Sequence, residues 1–376
     1  MVNYDTLVQM SPYLTALPGM GTHEITLRNF LTDETVGLSR QTLGILKSAK
    51  EPQAKRLLAQ KHGQETIDTL VKDRLLVDSD SVWEQSNINY LEIEITAHCN
   101  WRCEYCPVSV DPKHKETMPM GLFDRIIEKA TRHPGMKAVT INSYNEPTLD
   151  IHFEPRVRKI AESNLKLMLF TNGSMLTEAK VRLLKECGVL SFVQFNLPSL
   201  EEETFQRMTG STQYAQTLMN IERACSAGLP VKFAIKGTRE DQHKNLEMIR
   251  ARFGSRAMEE IVVWETNDRA GVMKNKYAKS IDLQGALFGC ERVLNWIHIG
   301  VHGECFLCCE DYYQRVVYGN IEDGEIGQIA SGLPMQTLRK QVYGGAEAPK
   351  DFLCRKCYNM QEAQSIARIL RGKPGS

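Results

Sequence analysis

Neither sign of charge predominates in this 376-residue sequence: 46 Lys and Arg stand against 46 Asp and Glu. A protein that grips nucleic acid by neutralising phosphates needs a cationic excess, so the balance argues against that class. No apolar run approaches the roughly 18 residues a membrane helix requires, so no span is expected. The opening residues carry no basic stretch followed by an apolar run. No secretory signal is therefore expected, and the predicted compartment is the reducing cytoplasm. There is no internal repeat and no low-complexity tract. Cysteine is absent before Cys99, yet the chain holds eleven. Disulfides are not expected in a reducing compartment, so metal or cluster ligation is the first explanation to test, and spacing decides it.

At roughly 150 residues per domain the length suggests two or three domains. The Cys-free head, taken as residues 1–85, reads as short helices. Ser39 caps a helix through Leu43 and Leu46. Pro52 suits the first turn of a second, with Leu57 and Leu58 on one face. A third runs through Ile67, Leu70 and Val71, and Leu75–Val77 follows as a strand. Three short helices and a strand outline a winged helix, a unit that binds DNA, peptides or partner domains, or simply packs. No strongly basic recognition helix is present.

Residues 90–265 alternate apolar runs with amphipathic stretches. The runs are Leu91–Thr96, Ala138–Ile141, Leu165–Phe170, Phe192–Phe195, Val231–Ile235 and Ile261–Trp264. The helical segments between them are Leu122–Ala130, Phe153–Ala161, Glu178–Cys187, Tyr214–Ala227 and Asn245–Phe253. Six such units predict an α/β fold with a helix-covered parallel sheet. Ligands in such sheets sit at the carboxyl ends of the strands. Residues 266–376 form an irregular tail, with a charged linker at Asp268–Lys279, six cysteines and a helical end at Met360–Arg371.

Directly after the first run stands Cys99-Asn-Trp-Arg-Cys103-Glu-Tyr-Cys106. Three thiolates at this C-x3-C-x2-C spacing can hold three irons of a [4Fe–4S] cube and leave the fourth iron open to a ligand. Zinc competes, but it ordinarily asks for two paired ligands plus a second pair.

With this triplet after the first of six βα units, the sequence resembles the radical S-adenosylmethionine (radical SAM) superfamily over about Tyr90–Trp264. The resemblance implies a partial (β/α)6 barrel in which the amine and carboxylate of SAM chelate the open iron. One electron from the cluster then cleaves SAM to methionine and a 5′-deoxyadenosyl radical, which abstracts a substrate hydrogen. It also implies an external reductant such as a flavodoxin or ferredoxin. Ser143-Tyr-Asn145-Glu146-Pro147 occupies the place of the family's Gly-Gly-Glu-Pro, which receives the methionine amine, with both glycines replaced. Thr171-Asn-Gly-Ser174 resembles the family's turn beside SAM. Asn196 stands where the family hydrogen-bonds the ribose, Arg207 where an arginine approaches the SAM carboxylate, and Tyr105 where an aromatic packs near adenine.

In the tail, Cys290, Gly300 and Cys305 match C-x9–15-G-x4-C, and Cys354-Arg-Lys-Cys357 adds a pair. This resembles the auxiliary-cluster domain of the SPASM and twitch subfamilies and implies a second, fully ligated [4Fe–4S] cluster. Zinc remains a competitor for these four thiolates. Cys308 makes a further C-x2-C with Cys305 and could replace it. Cys308 or Cys309 could instead return a hydrogen atom to a substrate radical, as a thiol does in related peptide epimerases. Glu310-Asp-Tyr-Tyr313 and Glu265-Thr-Asn-Asp268 are expected near the barrel mouth. Cys187 and Cys225 read as core residues.

The favoured substrate is a ribosomally made precursor peptide, as in natural-product maturases, with the winged-helix-like head engaging a leader. Epimerisation, crosslinking and backbone excision all begin with hydrogen abstraction. The alternative is a small polar metabolite such as an aminocyclitol, sugar or nucleoside. A third reading, from another class, is a non-catalytic metal-cluster interaction protein.

Overall fold

The computed structural model describes residues 6–17, 25–236, 239–254, 258–263, 267–273 and 281–360. Trp264, Glu265 and Thr266 of the sequence reading, part of the charged linker and most of the expected terminal helix lie outside these residues. The chain divides into two compact units, each discontinuous in sequence: residues 1–88, 281–295 and 327–376 form one, and residues 89–280 with 296–326 form the other.

The first unit opens with β1 (Leu7–Met10) and an antiparallel meander of β2 (Leu14–Leu17), β3 (Ile25–Asn29) and β4 (Glu34–Leu38), with β3 central. Three short helices follow: α1 (Arg40–Ser48), α2 (Lys55–His62) and α3 (Gln64–Lys72). Ser39 caps α1 by accepting the Thr42 N–H at 3.1 Å. Two short strands, β5 (Gln53–Ala54) and β6 (Leu76–Asp78), flank β1 in a separate antiparallel sheet. Pro52 precedes β5 rather than opening α2. The helix register is set by Lys55, so Leu58 is buried while Leu57 is 53% exposed. The meander escaped the sequence reading because its strands are only four or five residues long.

The second unit carries the expected half barrel. Strands β7 (Tyr90–Ile93), β8 (Ala138–Thr140), β9 (Lys166–Thr171), β10 (Leu190–Asn196), β11 (Val231–Ile235) and β12 (Met258–Val263) run parallel in sequence order. Between them lie α4 (Met120–Arg132), α5 (Phe153–Glu162), α6 (Glu178–Cys187), α7 (Glu202–Thr209), α8 (Tyr214–Ser226) and α9 (Arg239–Phe253). Only α7 was not anticipated. One face of the sheet is apolar: Leu91, Ile93, Val139, Leu167, Leu169, Val193, Phe195 and Phe233 are all fully buried. Phe233 meets Phe253 of α9 at 5.0 Å, so this is the helix-covered face. Each such side chain contributes about 1.5–3 kcal/mol by burial. The alternate residues face the inside and are largely polar. Glu92 registers with Thr140 and His298, and Gln194 with Lys232.

The sheet continues past β7 into the tail. The short helix α10 (Arg292–Asn295) leads to β13 (Trp296–Ile299), which pairs parallel with β7, and β14 (Glu304–Phe306) and β15 (Val317–Asn320) add antiparallel to complete nine strands. The chain then forms α11 (Ile326–Ser331) and, in the first unit, α12 (Leu333–Val342). No helix among the described residues is long and apolar enough to cross a membrane.

Candidate active site

The cysteine loop leaves the carboxyl end of β7 and is clamped from several sides. The last carbonyls of α7 accept its backbone: Arg102 N–H donates to Thr209 O at 2.9 Å, and Glu104 N–H to Met208 O at 3.0 Å. Gly210 ends α7 at φ +64°, and a Cβ there would lie 3.1 Å from Arg102 O, so a side chain would be both strained and crowded. Trp101 is buried edge-on to Phe205 at 5.1 Å. The Asn100 amide joins the loop to the turn after β9. Its Nδ2 donates to Ser174 Oγ and Gln213 Oε1, each at 2.9 Å, and its Oδ1 accepts Asn172 Nδ2 at 2.9 Å.

The three thiols share one buried volume. Burial raises the Cys103 pKa strongly, and the nearby Cys106 and Cys99 raise it further. The Cys99 thiol is pushed up to about 12, mainly by burial and then by Glu146. Such sulfurs become thiolates when a cation binds them. Three thiols buried together at this spacing are a donor set that suits three irons of an iron–sulfur cube.

The loop after β8 keeps its shape without the family's glycines. None of residues 142–146 has a positive φ. Asn145 Oδ1 accepts the Ser143 N–H at 2.7 Å, and its Nδ2 donates to Ile141 O at 3.3 Å. The amide thus fastens a turn that glycines would otherwise allow. Glu146 is buried and saturated: it accepts Thr171 Oγ1 at 2.7 Å, the Asn172 N–H at 2.6 Å, and both the N–H and hydroxyl of Thr148. Its own N–H donates to His98 O at 2.9 Å. Glu146 thus braces the second and third strand ends against the cysteine loop. Gly173, at φ +77°, closes against Phe195, which a Cβ would meet at 3.0 Å.

The remaining expected contacts separate. Tyr105 is buried with its hydroxyl beside Cys103. Asn196 ends β10, half-buried. Arg207 is exposed on α7 and pairs with Glu104 at 3.1 Å, so it supports the cysteine loop from outside.

Four residues surround Cys106, and of these only Tyr312, within Glu310–Tyr313, was expected near the barrel mouth. Tyr144 packs edge-on to Tyr312 at 4.8 Å, and this pair with Val108 lies against Cys99 and Cys106. Lys236 follows β11, and Arg269 pairs with Glu310 at 2.9 Å. Burial, then the Arg269 charge, lowers the Lys236 pKa to about 7. Lys236 was legible, since it stands directly after an apolar run at a strand's carboxyl end. Asp311 is consumed structurally, accepting the N–H groups of Arg315 and Val316.

The tail cysteines fall in both units. In the first, Tyr343 Oη donates to Cys290 O at 3.0 Å, and its ring fills the space beside Gly289 at φ +97°. Arg355, within Cys354–Cys357, donates to the carbonyls of Leu283, Gly285, Ala348 and Pro349 and so pins that pair. In the second unit Cys305 lies buried on β14, its pKa raised to about 12 mainly by burial, and Cys308 is buried beyond it. Cys309 offers its carbonyl to Tyr144 Oη at 2.5 Å.

Comparison with known proteins agrees with this geometry. Residues 93–251 match the radical SAM superfamily, and residues 290–358 match the SPASM iron–sulfur cluster-binding domain. The chain is 25% identical over 277 residues to the S-adenosyl-L-methionine-dependent 2-deoxy-scyllo-inosamine dehydrogenase of Niallia circulans, covering 72% of this chain and 92% of that protein. It is 31% identical over 208 residues to the GTP 3′,8-cyclase of Aliarcobacter butzleri, covering 52% of this chain and 63% of the cyclase. Among solved structures, Streptococcus suis SuiB bound to precursor peptide SuiA superposes with a TM-score of 0.58 at 13% identity, covering 93% of each chain. The chain carries a radical SAM domain and a SPASM iron–sulfur cluster-binding domain; it is an enzyme, and these domains imply a SAM-binding [4Fe–4S] cluster, SAM and auxiliary iron–sulfur clusters.

Proposed function

We propose that this enzyme abstracts a hydrogen atom from a ribosomally made precursor peptide, with the outcome being epimerisation, crosslinking or backbone excision. The observation that carries the reading is the head. Strands β2, β3 and β4 form a three-stranded meander in which, among the described residues, β4 is an edge strand, and three short helices follow it. An extended leader can add to such an edge through main-chain hydrogen bonds. The likeness to SuiB extends over the head as well as the barrel, covering 93% of this chain.

In this reading Cys99, Cys103 and Cys106 hold the first cluster, and Cys290, Cys305, Cys354 and Cys357 hold the second. Bound there, the first cluster and SAM supply a 5′-deoxyadenosyl radical. Glu146, Thr171 and Asn145 shape the wall for the methionyl end of SAM. Asn196 serves the ribose and Tyr105 the adenine side. Cys308 or Cys309 returns a hydrogen atom where the reaction is an epimerisation. The reducing electron comes from a flavodoxin or ferredoxin in the cytoplasm.

The second reading is oxidation of a small polar metabolite. The 277-residue match to an aminocyclitol dehydrogenase favours it. Hydrogen exchange with a precursor peptide from a neighbouring short reading frame decides between them. Slowed exchange at Glu34–Leu38, with peptide affinity lost on deleting residues 1–83, supports the peptide. Turnover of a free aminocyclitol or sugar that survives that deletion refutes it.

A further inference from the structure

Beyond the cysteine loop, four segments bring charge and aromatic surface to one side of Cys106. Arg269 Nη1 contacts Glu310 Oε1 at 2.9 Å, and its guanidinium lies 5.8 Å from the Tyr144 ring centre. Tyr144 and Tyr312 form an apolar wall with Val108, and Val272 packs against it beside Cys99 and Cys106. Lys236, at the end of β11, is close enough to Arg269 for the two charges to repel.

The backbone that delivers Arg269 is strained. Arg269 and Ala270 stand at φ +50° and +51°, followed by Gly271 at +86°. Both non-glycine residues stand in the left-handed region, which L side chains rarely adopt. The turn is held by the Arg269 N–H on Asn267 Oδ1 at 3.1 Å and by the Met273 N–H on Asp268 O at 2.8 Å. Strain kept at a strand-end loop marks a side chain whose direction matters. Glu310 takes one edge of the guanidinium. The other nitrogens make no hydrogen bond to the described residues, and the side chain is 26% exposed.

We propose that Arg269, oriented by Glu310 and Tyr144 and assisted by Lys236, binds a carboxylate of the substrate: the side chain of an Asp or Glu at or beside the modified position. A guanidinium fork matches a carboxylate through two parallel hydrogen bonds, and burial strengthens them. The tyrosine wall receives the methylenes of the same residue. The inference deepens the peptide reading and rests on it for the source of the carboxylate.

The test is anaerobic titration calorimetry on the holoenzyme with SAM saturating, so that SAM's own carboxylate does not report. The probes are acetyl-Ala-Glu-Ala-amide, its Gln counterpart and free glutarate. The Glu peptide is expected to bind at least tenfold more tightly than the Gln peptide, and Arg269→Gln to lose that preference. The Glu-against-Gln comparison in the unaltered enzyme holds whether or not the variant folds. Arg269-dependent binding of glutarate without the Glu peptide upholds the carboxylate site and refutes its peptide source. Equal binding of the two peptides, or no binding of either carboxylate probe, overturns the proposal.

Discussion

Glu146 accepts the backbone N–H of Asn172 at 2.6 Å, joining the second and third strand ends of the barrel. A charge-assisted bond of this kind is worth about 1.5–3 kcal/mol. Glu146→Ala is expected to weaken SAM binding at least tenfold by releasing the Thr171–Gly173 turn. Calorimetric SAM titration checks this, and an unchanged affinity would show that the turn stands without the brace.

Arg207 makes the opposite case. Its partner is Glu104, and its side chain is 47% exposed. Exposed pairs contribute roughly 0–1 kcal/mol. Arg207→Gln is therefore expected to change SAM affinity less than threefold. A loss of tenfold or more would support the direct contact with the SAM carboxylate that the family resemblance implies.

Arg156 and Asp150 pair at 2.6 Å with both side chains fully buried, and Arg156 also donates to Met118 O. This pair ties the segment after Glu146–Pro147 to the entrance of α4. Removing one partner strands a buried charge, at about 3–5 kcal/mol. Arg156→Ala is expected to lower the unfolding free energy measured by denaturant titration by that amount, and Arg156→Met with Asp150→Leu to lower it far less.

The half barrel was legible because six apolar runs at regular spacing leave a helix-covered parallel sheet as the natural solution. Their carboxyl ends then pointed to Asn145, Glu146, Thr171 and Asn196. The roles within those loops were less legible. Whether Glu146 faces a ligand or other protein groups depends on Thr148, Thr171 and Asn172 folding back on it, which spacing does not encode. The β13–β15 extension was hidden because Trp296–Ile299 is short and pairs with β7, some 200 residues earlier. Arg269 fell in a stretch whose charge read as linker.

Cys357→Ala is expected to lower bound iron by about four atoms, one cube's worth. Some uncoupled SAM cleavage should remain, because the first cluster keeps its three thiolates. Full iron in this variant would refute the assignment of Cys357 to the auxiliary cluster.

The central claim is that the Cys99, Cys103 and Cys106 loop supports reductive cleavage of SAM. The direct measurement is 5′-deoxyadenosine formed by the anaerobically reconstituted, reduced enzyme, followed by mass spectrometry beside Cys99→Ala. The account predicts 5′-deoxyadenosine from the unaltered chain and none from Cys99→Ala. An iron-loaded, unaltered enzyme that binds SAM, accepts an electron and yields no 5′-deoxyadenosine would contradict it.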